Sequence, residues 1–595
     1  MTSTRLVLPP IRVSIRTTSI AAAVAAALGV GAPPVVLAQD DSSTAQQVQT
    51  LKQQVDQLQR QLDRLEAKQA AAPTPPATSN PPAASNPPAA PQAKQTAAAA
   101  QVQPRPQAQP TALPSSEAEV PHAQPIALAS TAADAQQAAT EPGGYGSASS
   151  AGPGIQAGPL SITFGGFTEL ALIYRNHSEL ADVGSVPYGS IPFPDAEQYN
   201  VTEYRESARQ SRFSMLTEAA PWNGARAEAY LEADFLGAAP TANSRESNSY
   251  NLRMRNFYAR FMLDSGFYIL AGQNWSLATL YKKGLDPRQE DVPLTIDAQY
   301  VAGFNWTRNP QLRFVQKFDD IFSLGFSVES PQGVPNASNN VPSTLSAYPA
   351  NTYYQPTPSA SGLLNSTTGY TVDNAPDLIL KGALDPGYGH YELYGLGRWF
   401  RSAVGTDTNT IFGGGIGGGA ILPIIPDVLS IQASGLVGKG IGRYGSAQLS
   451  DVTLEPSGAF SAIKAYQALF GLFWKPVPSL QIYGYAGREQ ASSDYFSGTI
   501  TDDGVTTLYQ YGYGNPAYNN TGCYLVAGKC TANPQQVDEA TGGLWWRYYE
   551  GQLGNLQLGL QFAYNQVDAF YGKGGSPETN VFETMVSFRY YPYQK

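Results

Sequence analysis

From residue 158 onward, apolar and polar side chains alternate with a period of two. Ala225, Ala227, Ala229, Leu231, Ala233 and Phe235 interleave with Arg226, Glu228, Tyr230, Glu232 and Asp234. Phe322, Leu324, Phe326 and Val328 interleave with Ser323, Gly325, Ser327 and Glu329. Leu556, Leu558, Leu560, Phe562 and Tyr564 interleave with Gln557, Gly559, Gln561, Ala563 and Asn565. Successive side chains of a strand point to opposite faces, so each segment reads as a strand with one apolar and one wet face. No stretch after residue 38 reaches the ~18 consecutive apolar residues of a spanning helix. That excludes a helical membrane protein but not a membrane β-barrel, whose strands alternate and keep hydropathy low.

The connections alternate as well. Tight turns at 220–224, 264–266, 319–320, 386–389, 423–427, 475–479 and 552–555 interleave with loops at 176–207, 237–248, 276–310, 331–375, 402–408, 441–461, 491–539 and 568–579. This rhythm gives sixteen strands and returns the C-terminus to the side where the first strand began. Tyr300 to Thr307 also alternates, but counting it as a strand would put the long 331–375 loop on the turn side, so it belongs to the third loop. Aromatic residues gather near strand ends: Tyr174, Trp222, Phe235, Trp275, Phe318, Trp399, Trp474, Trp545, Trp546, Phe588, Tyr590 and Tyr591. They are expected to form two girdles at headgroup level. A secreted β-sandwich would alternate too, but strand number, strand length and the turn/loop asymmetry favour the barrel. The expected fold is all-β, a 16-stranded antiparallel transmembrane β-barrel over residues 158–595.

Composition separates this unit from what precedes it. Every one of the 7 Trp, 23 Phe and 35 Tyr lies at or beyond Tyr145, so the first quarter of the chain holds no aromatic core. Residues 1–38 read as a secretory signal peptide: Arg5, Arg12 and Arg16, a short apolar stretch from Ile20 to Val30, and Val36-Leu37-Ala38 before Gln39. Residues 39–69 read as a short α-helical coiled coil. Val48, Leu51, Val55, Leu58, Leu62 and Leu65 form its a/d seam, and so short a seam needs self-association. Residues 70–157, rich in Pro, Ala and Gln, read as a disordered linker; Ser79 to Ala84 repeats at Ser85 to Ala90. Cys523 and Cys530, the 2 cysteines of the chain, suit one loop disulfide in an oxidising compartment.

Several short segments resemble the DcaP-like trimeric outer-membrane porins, which join an N-terminal periplasmic coiled coil to a sixteen-stranded barrel. They are Ser211-Arg212-Phe213, Leu252 to Tyr258, Gly272-Gln273-Asn274-Trp275-Ser276, Arg308 to Phe314, and Glu329-Ser330-Pro331. The resemblance covers the first half of the barrel; the second half matches by pattern. It implies a homotrimer in the Gram-negative outer membrane, with outer-membrane lipid around the wall and the N-terminal arm in the periplasm. It also implies that the third loop folds inward as a constriction, carrying Lys282, Lys283, Asp286, Arg288, Glu290, Asp291 and Asp297. Facing it on the wet faces stand Arg212, Arg226, Arg253, Arg255, Lys381 and Arg398, with Glu228, Glu232, Asp234 and Glu392.

A cationic cluster in a narrow neck concentrates anions. With the resemblance, this points to passive diffusion of small hydrophilic solutes with a preference for anions such as dicarboxylates. Two other readings stand beside it. Tyr281, Tyr300 and Trp306 would suit a carbohydrate-selective porin, and the arm, with a spacer long enough to reach peptidoglycan, would suit a tether to the cell wall. No enzyme is expected: the 3 His residues, His122, His177 and His390, lie apart from any nucleophile motif. So few His and Cys leave little room for a metal site, no cofactor is implied, and a net charge of −10 without a basic tract argues against nucleic acid.

Overall fold

The computed structural model describes residues 154–183, 188–237, 251–336, 352–353, 373–404, 406–502, 505–528, 530 and 532–592. The expected signal peptide, the seam residues Val48, Leu51, Val55, Leu58, Leu62 and Leu65, and linker residues 70–153 lie outside the described residues; the last four residues of the expected linker, Gly154–Ala157, instead form a short strand paired antiparallel with residues 160–163.

Sixteen wall strands follow one another in the chain. They are β1 (Leu160–Arg175), β2 (Glu203–Ser207 and Arg212–Ala219), β3 (Ala225–Gly237), β4 (Asn251–Leu263), β5 (Phe267–Trp275), β6 (Arg308–Phe318), β7 (Phe322–Glu329) and β8 (Asp377–Leu384). The second half holds β9 (His390–Val404), β10 (Asp407–Ile425), β11 (Leu429–Lys439), β12 (Lys464–Val477), β13 (Leu480–Ala491), β14 (Pro534–Gly551), β15 (Gly554–Ala569) and β16 (Glu578–Tyr591). Each pairs antiparallel with its chain neighbours. β1 then closes the sheet onto β16, in register from Thr168↔Tyr590 to Arg175↔Glu583. Closure leaves no edge of unpaired backbone groups, which is what allows a sheet to stand in hydrocarbon.

The two kinds of connection fall on opposite ends. The turn after β2 is made by Asn223 (φ 50°) and Gly224 (φ 74°), the positive-φ pair that a two-residue hairpin requires. At the other end, the loop after β13 carries its own hairpin, Asp494–Asp502 with Val505–Tyr513, and a disulfide joins Cys523 to Cys530. Tyr300 to Thr307 forms no strand and belongs to the loop between β5 and β6.

Side-chain parity divides the wall. On β15 and β16, Leu558, Phe562, Phe582 and Phe588 are exposed on the outside, whereas Gln557, Gln561, Glu583 and Ser587 are buried inside. The expected girdles are corrected by the same parity. Trp222, Phe318, Trp474 and Trp546 do stand outward and exposed, but Trp275, Trp545 and Tyr591 point inward and are almost fully buried. Trp545 lies beside Gly559, where an added Cβ would sit 2.6 Å from the indole. Closeness to a strand end told these residues apart from others along the chain; the odd or even position decides which side they serve.

Parity makes a testable statement about Leu560, an outward residue in the middle of β15, paired with Leu544 and Val586. Leu560→Arg is expected to lower folding stability in lipid bilayers by about 2–4 kcal/mol, the cost of a cation at mid-wall facing lipid. Urea titration of the reconstituted protein measures it, and an unchanged midpoint would contradict a lipid-facing Leu560.

Candidate functional site

A sixteen-strand barrel is too wide for its own wall side chains to fill. Here the loop between β5 and β6, residues 276–307, enters that space. Its apolar side chains pack in two groups. Leu277, Ala278, Tyr281 and Leu285 meet inward-facing Leu216, Leu270, Val315 and Ile379. Leu294, Ile296, Tyr300, Val301 and Phe304 meet Ala171, Ile173, Leu469, Tyr483, Trp545 and Met585 on the far wall. The inner face of the barrel is therefore apolar in patches, because those patches are where the loop docks.

The loop backbone is held by acceptors on the wall. Leu277 N–H donates to Glu329 (2.8 Å), Tyr281 N–H to Glu392 (3.1 Å) and Gly284 N–H to Asp385 (3.0 Å). Across the lumen, Leu294 N–H donates to the Tyr485 hydroxyl (3.1 Å), Ala302 N–H to Glu539 (3.0 Å) and Gly303 N–H to Glu489 (2.8 Å). Two wall donors complete the seating: Lys381 Nζ reaches the Thr279 carbonyl (2.7 Å) and Trp545 Nε1 the Leu294 carbonyl (2.8 Å). A loop buried in a barrel would otherwise carry orphaned amides, so these polar wall residues satisfy what folding inward exposes.

Bare backbone gives the loop room. At Gly487 on β13 an added Cβ would lie 1.7 Å from the Ala302 carbonyl oxygen, and at Gly419 on β10 it would lie 2.7 Å from Leu280. Gly419 belongs to the run Gly413 to Gly419, whose inward members also clear space for Tyr394 and Phe400. The run thus serves the loop and the rings that support it.

Charge is distributed unevenly around the loop. On one side, Arg253 forks onto Asp234 (2.9 and 2.7 Å), Arg255 bonds Asp234 (3.0 Å) and Glu232, and Arg212 lies 3.5 Å from Glu232. Arg255 also donates to the Tyr300 hydroxyl (3.1 Å). Arg308, at the start of β6, stacks over Trp275 at 4.9 Å and makes no ion pair among the described residues; its Nη1 is buried without a hydrogen-bond partner. The Arg255 and Arg253 guanidiniums and the Asp234 carboxylate all lie near enough to act on it. Four guanidiniums thus gather around Glu232 and Asp234. On the neighbouring β1, Arg175 stands among Glu179 (3.9 Å), Glu203 (2.9 Å) and Glu583 (2.7 Å). Burial, reinforced by Glu583, holds the Glu179 carboxyl above the usual carboxylate range.

The remaining sequence candidates are spread over the structure. Arg288 bonds Glu228 (2.9 Å), and Asp286 accepts from Arg260 (2.8 Å) and pairs with Lys317. Glu290 accepts from Asn274 (3.2 Å), Lys282 and Asp291 lie on the loop between these contacts, and Lys283 is exposed. Arg398 is tied to Asp377 (3.1 Å) and Asp451 (2.8 Å), against the loop between β11 and β12. Arg226 is exposed at the turn-side end, lining a cavity of about 250 Å³ with Asp264, Asp286 and Lys317. The structure brings Arg212, Arg253 and Arg255 together; Arg226, Arg288 and Arg398 stand apart from them. Sequence reasoning named Arg308 and Glu329 only within the resembling segments, and did not single out Tyr485, Glu489 or Glu539. The signal was present in their inward parity.

His390 has Asp385 on Nδ1 (2.8 Å) and Glu392 on Nε2 (3.0 Å), so both ring nitrogens face carboxylates. Among the described residues, no group of three or more His, Cys, Asp or Glu side chains is placed to hold a metal ion.

Gly487→Val would drive a side chain into the Ala302 carbonyl and displace the loop tip. The expected outcome is a larger single-channel conductance with unchanged heat-modifiable gel mobility. Unchanged conductance in the folded variant would contradict the loop's control of the interior. Glu489→Gln, which replaces one of the two carboxyl oxygens beside the Gly303 and Ala447 amides with a donor, should act in the same direction and less strongly.

No family model and no curated protein matches the sequence. Among solved structures, the fold is similar to the outer-membrane channel DcaP of Acinetobacter baumannii, with a TM-score of 0.49 and 16% identity over 73% of this chain and 99% of that one. It is similar also to an anion-selective porin from Comamonas acidovorans, with a TM-score of 0.40 and 12% identity over 73% and 99%. A high-pH structure of OprB from Pseudomonas putida follows, with a TM-score of 0.37 and 10% identity over 72% and 94%.

Proposed function

We propose that this chain is an outer-membrane porin through which small hydrophilic solutes diffuse passively, with a preference for anions such as dicarboxylates. The observation that carries the preference is the gathering of Arg212, Arg253, Arg255 and Arg308 around Glu232 and Asp234, beside Trp275 and Tyr300. In a confined, poorly screened space an excess of fixed cations raises the local concentration of anions, and guanidinium forks match carboxylates. The solute path, by this reading, runs past this arginine group. Most other candidate arginines already have carboxylate partners and act as bracing for the wall.

The carbohydrate reading rests on rings open to a sugar. Tyr281 and Tyr300 are fully buried supports of the loop, with their hydroxyls taken by Arg313 (2.6 Å) and Arg255. Trp306 is half-buried, donates to the Gly445 carbonyl (2.8 Å) and lies under Arg443. These contacts favour the anion reading.

The N-terminal arm, by this proposal, extends into the periplasm, where its coiled coil assists homotrimer assembly and its spacer reaches toward peptidoglycan. Deleting residues 39–157 should leave the conductance of each barrel intact, and loss of conductance in a correctly folded deletion would contradict an accessory arm.

Reversal potentials across a salt gradient in planar bilayers test the preference. The wild type is expected to favour anions, and Arg308→Gln should shift the reversal potential toward zero while leaving folding intact. Cation preference in the wild type would overturn the reading.

A further inference from the structure

On the outside of the barrel, Lys439 is the last residue of β11 and Lys464 the first of β12, and the two are direct cross-strand partners. Parity sends both away from the lumen: Val437 and Tyr466, two residues along on each strand, are exposed on the outer face, while Leu436 is buried inside. Like charges placed directly opposite in an antiparallel pair repel. Neither lysine makes an ion pair or side-chain hydrogen bond among the described residues. The same rim does pair other outward cations, since Arg488 on β13 is held by Asp538 at 2.8 Å. Beside the lysines the outer face is bare. Gly414 of β10 lies opposite Lys439, and Gly397 of β9 lies opposite Gly414. Exposed Phe412 and Tyr466 flank that floor, and Ile416, Val437 and Phe470 continue the outer wall toward the turn side.

We propose that Lys439 and Lys464 bind the phosphate monoester of an acylated glycolipid in the outer leaflet, with its acyl chains on the apolar wall below. The inference rests on the outer-membrane reading, because it places the loop-side rim at headgroup level. A phosphomonoester carries a charge of about −1.5 to −2 at neutral pH, which two ammonium groups neutralise, whereas a phosphodiester headgroup carries only one charge. The lysine stems lie along apolar wall and deliver their charged ends to the interface.

The test uses the folded full chain in detergent, with native mass spectrometry of protein titrated with diphosphoryl lipid A. The wild type should retain the lipid. Lys439→Gln with Lys464→Gln should weaken binding roughly tenfold or more, since two charge-assisted contacts are lost. Lipid A stripped of its phosphates and phosphatidylglycerol should both bind the wild type more weakly than intact lipid A. Equal retention by the double variant, equal binding of the stripped lipid, or full displacement by millimolar inorganic phosphate would overturn the proposal. Single-channel conductance of the double variant should match the wild type, because both residues lie outside the lumen. A conducting barrel without selective lipid binding would sink this inference alone, and a lipid-binding barrel without conductance would sink the porin reading alone.

Discussion

A closed sheet has no edge on which to place a misfit, so every wall residue commits to one of two sides by its odd or even position. That constraint governs all that follows. The outward set can be uniformly apolar because it meets one environment, as Leu558, Phe562, Phe582 and Phe588 show. The inward set has to match whatever fills the interior. Here it meets a loop of the same chain, and it is mixed for that reason: apolar where the loop presents Leu277, Leu285 or Phe304, acidic where it presents amides, and glycine where backbone meets backbone.

The interior is therefore organised around unpaired backbone donors as much as around charge. Glu329 and Glu392 on one side, and Glu489 and Glu539 on the other, each accept a loop N–H, so the loop is gripped from opposite walls. A buried carboxyl group is costly without hydrogen bonds, and the loop amides supply them. Arginine takes the complementary part. Arg255 and Arg313 each lie fully buried and donate to the hydroxyl of a loop tyrosine. What distinguishes Arg308 is that it makes no ion pair among the described residues, so it adds positive charge beside the loop.

Much of this was legible in the sequence. Alternation and the rhythm of turns and loops gave strand number and chain order, because both depend on short-range patterns, whereas the inward loop was implied by the resemblance alone. The aromatic girdle was legible only in part: Trp545 and Trp546 are adjacent, and proximity to a strand end does not say which of them faces out. The grip on the loop was harder still. Glu489 and Gly303 are 186 residues apart and Glu539 and Ala302 are 237 apart, and no local pattern links either pair. The glycine run of β10 was visible as a run, but its purpose depends on Leu280 and Tyr394 arriving from elsewhere in the chain.

The most direct test of a barrel with lipid outside and a loop-filled aqueous interior is single-cysteine scanning along β15 in proteoliposomes, with both native cysteines replaced by serine. A probe placed from position 557 to 564 should alternate strictly. Its fluorescence at 558, 560, 562 and 564 should be quenched by nitroxide-labelled lipid, and at 557, 559, 561 and 563 it should be spared. Quenching without a period of two, or reaction of the 558 and 562 thiols with a membrane-impermeant reagent, would contradict the account.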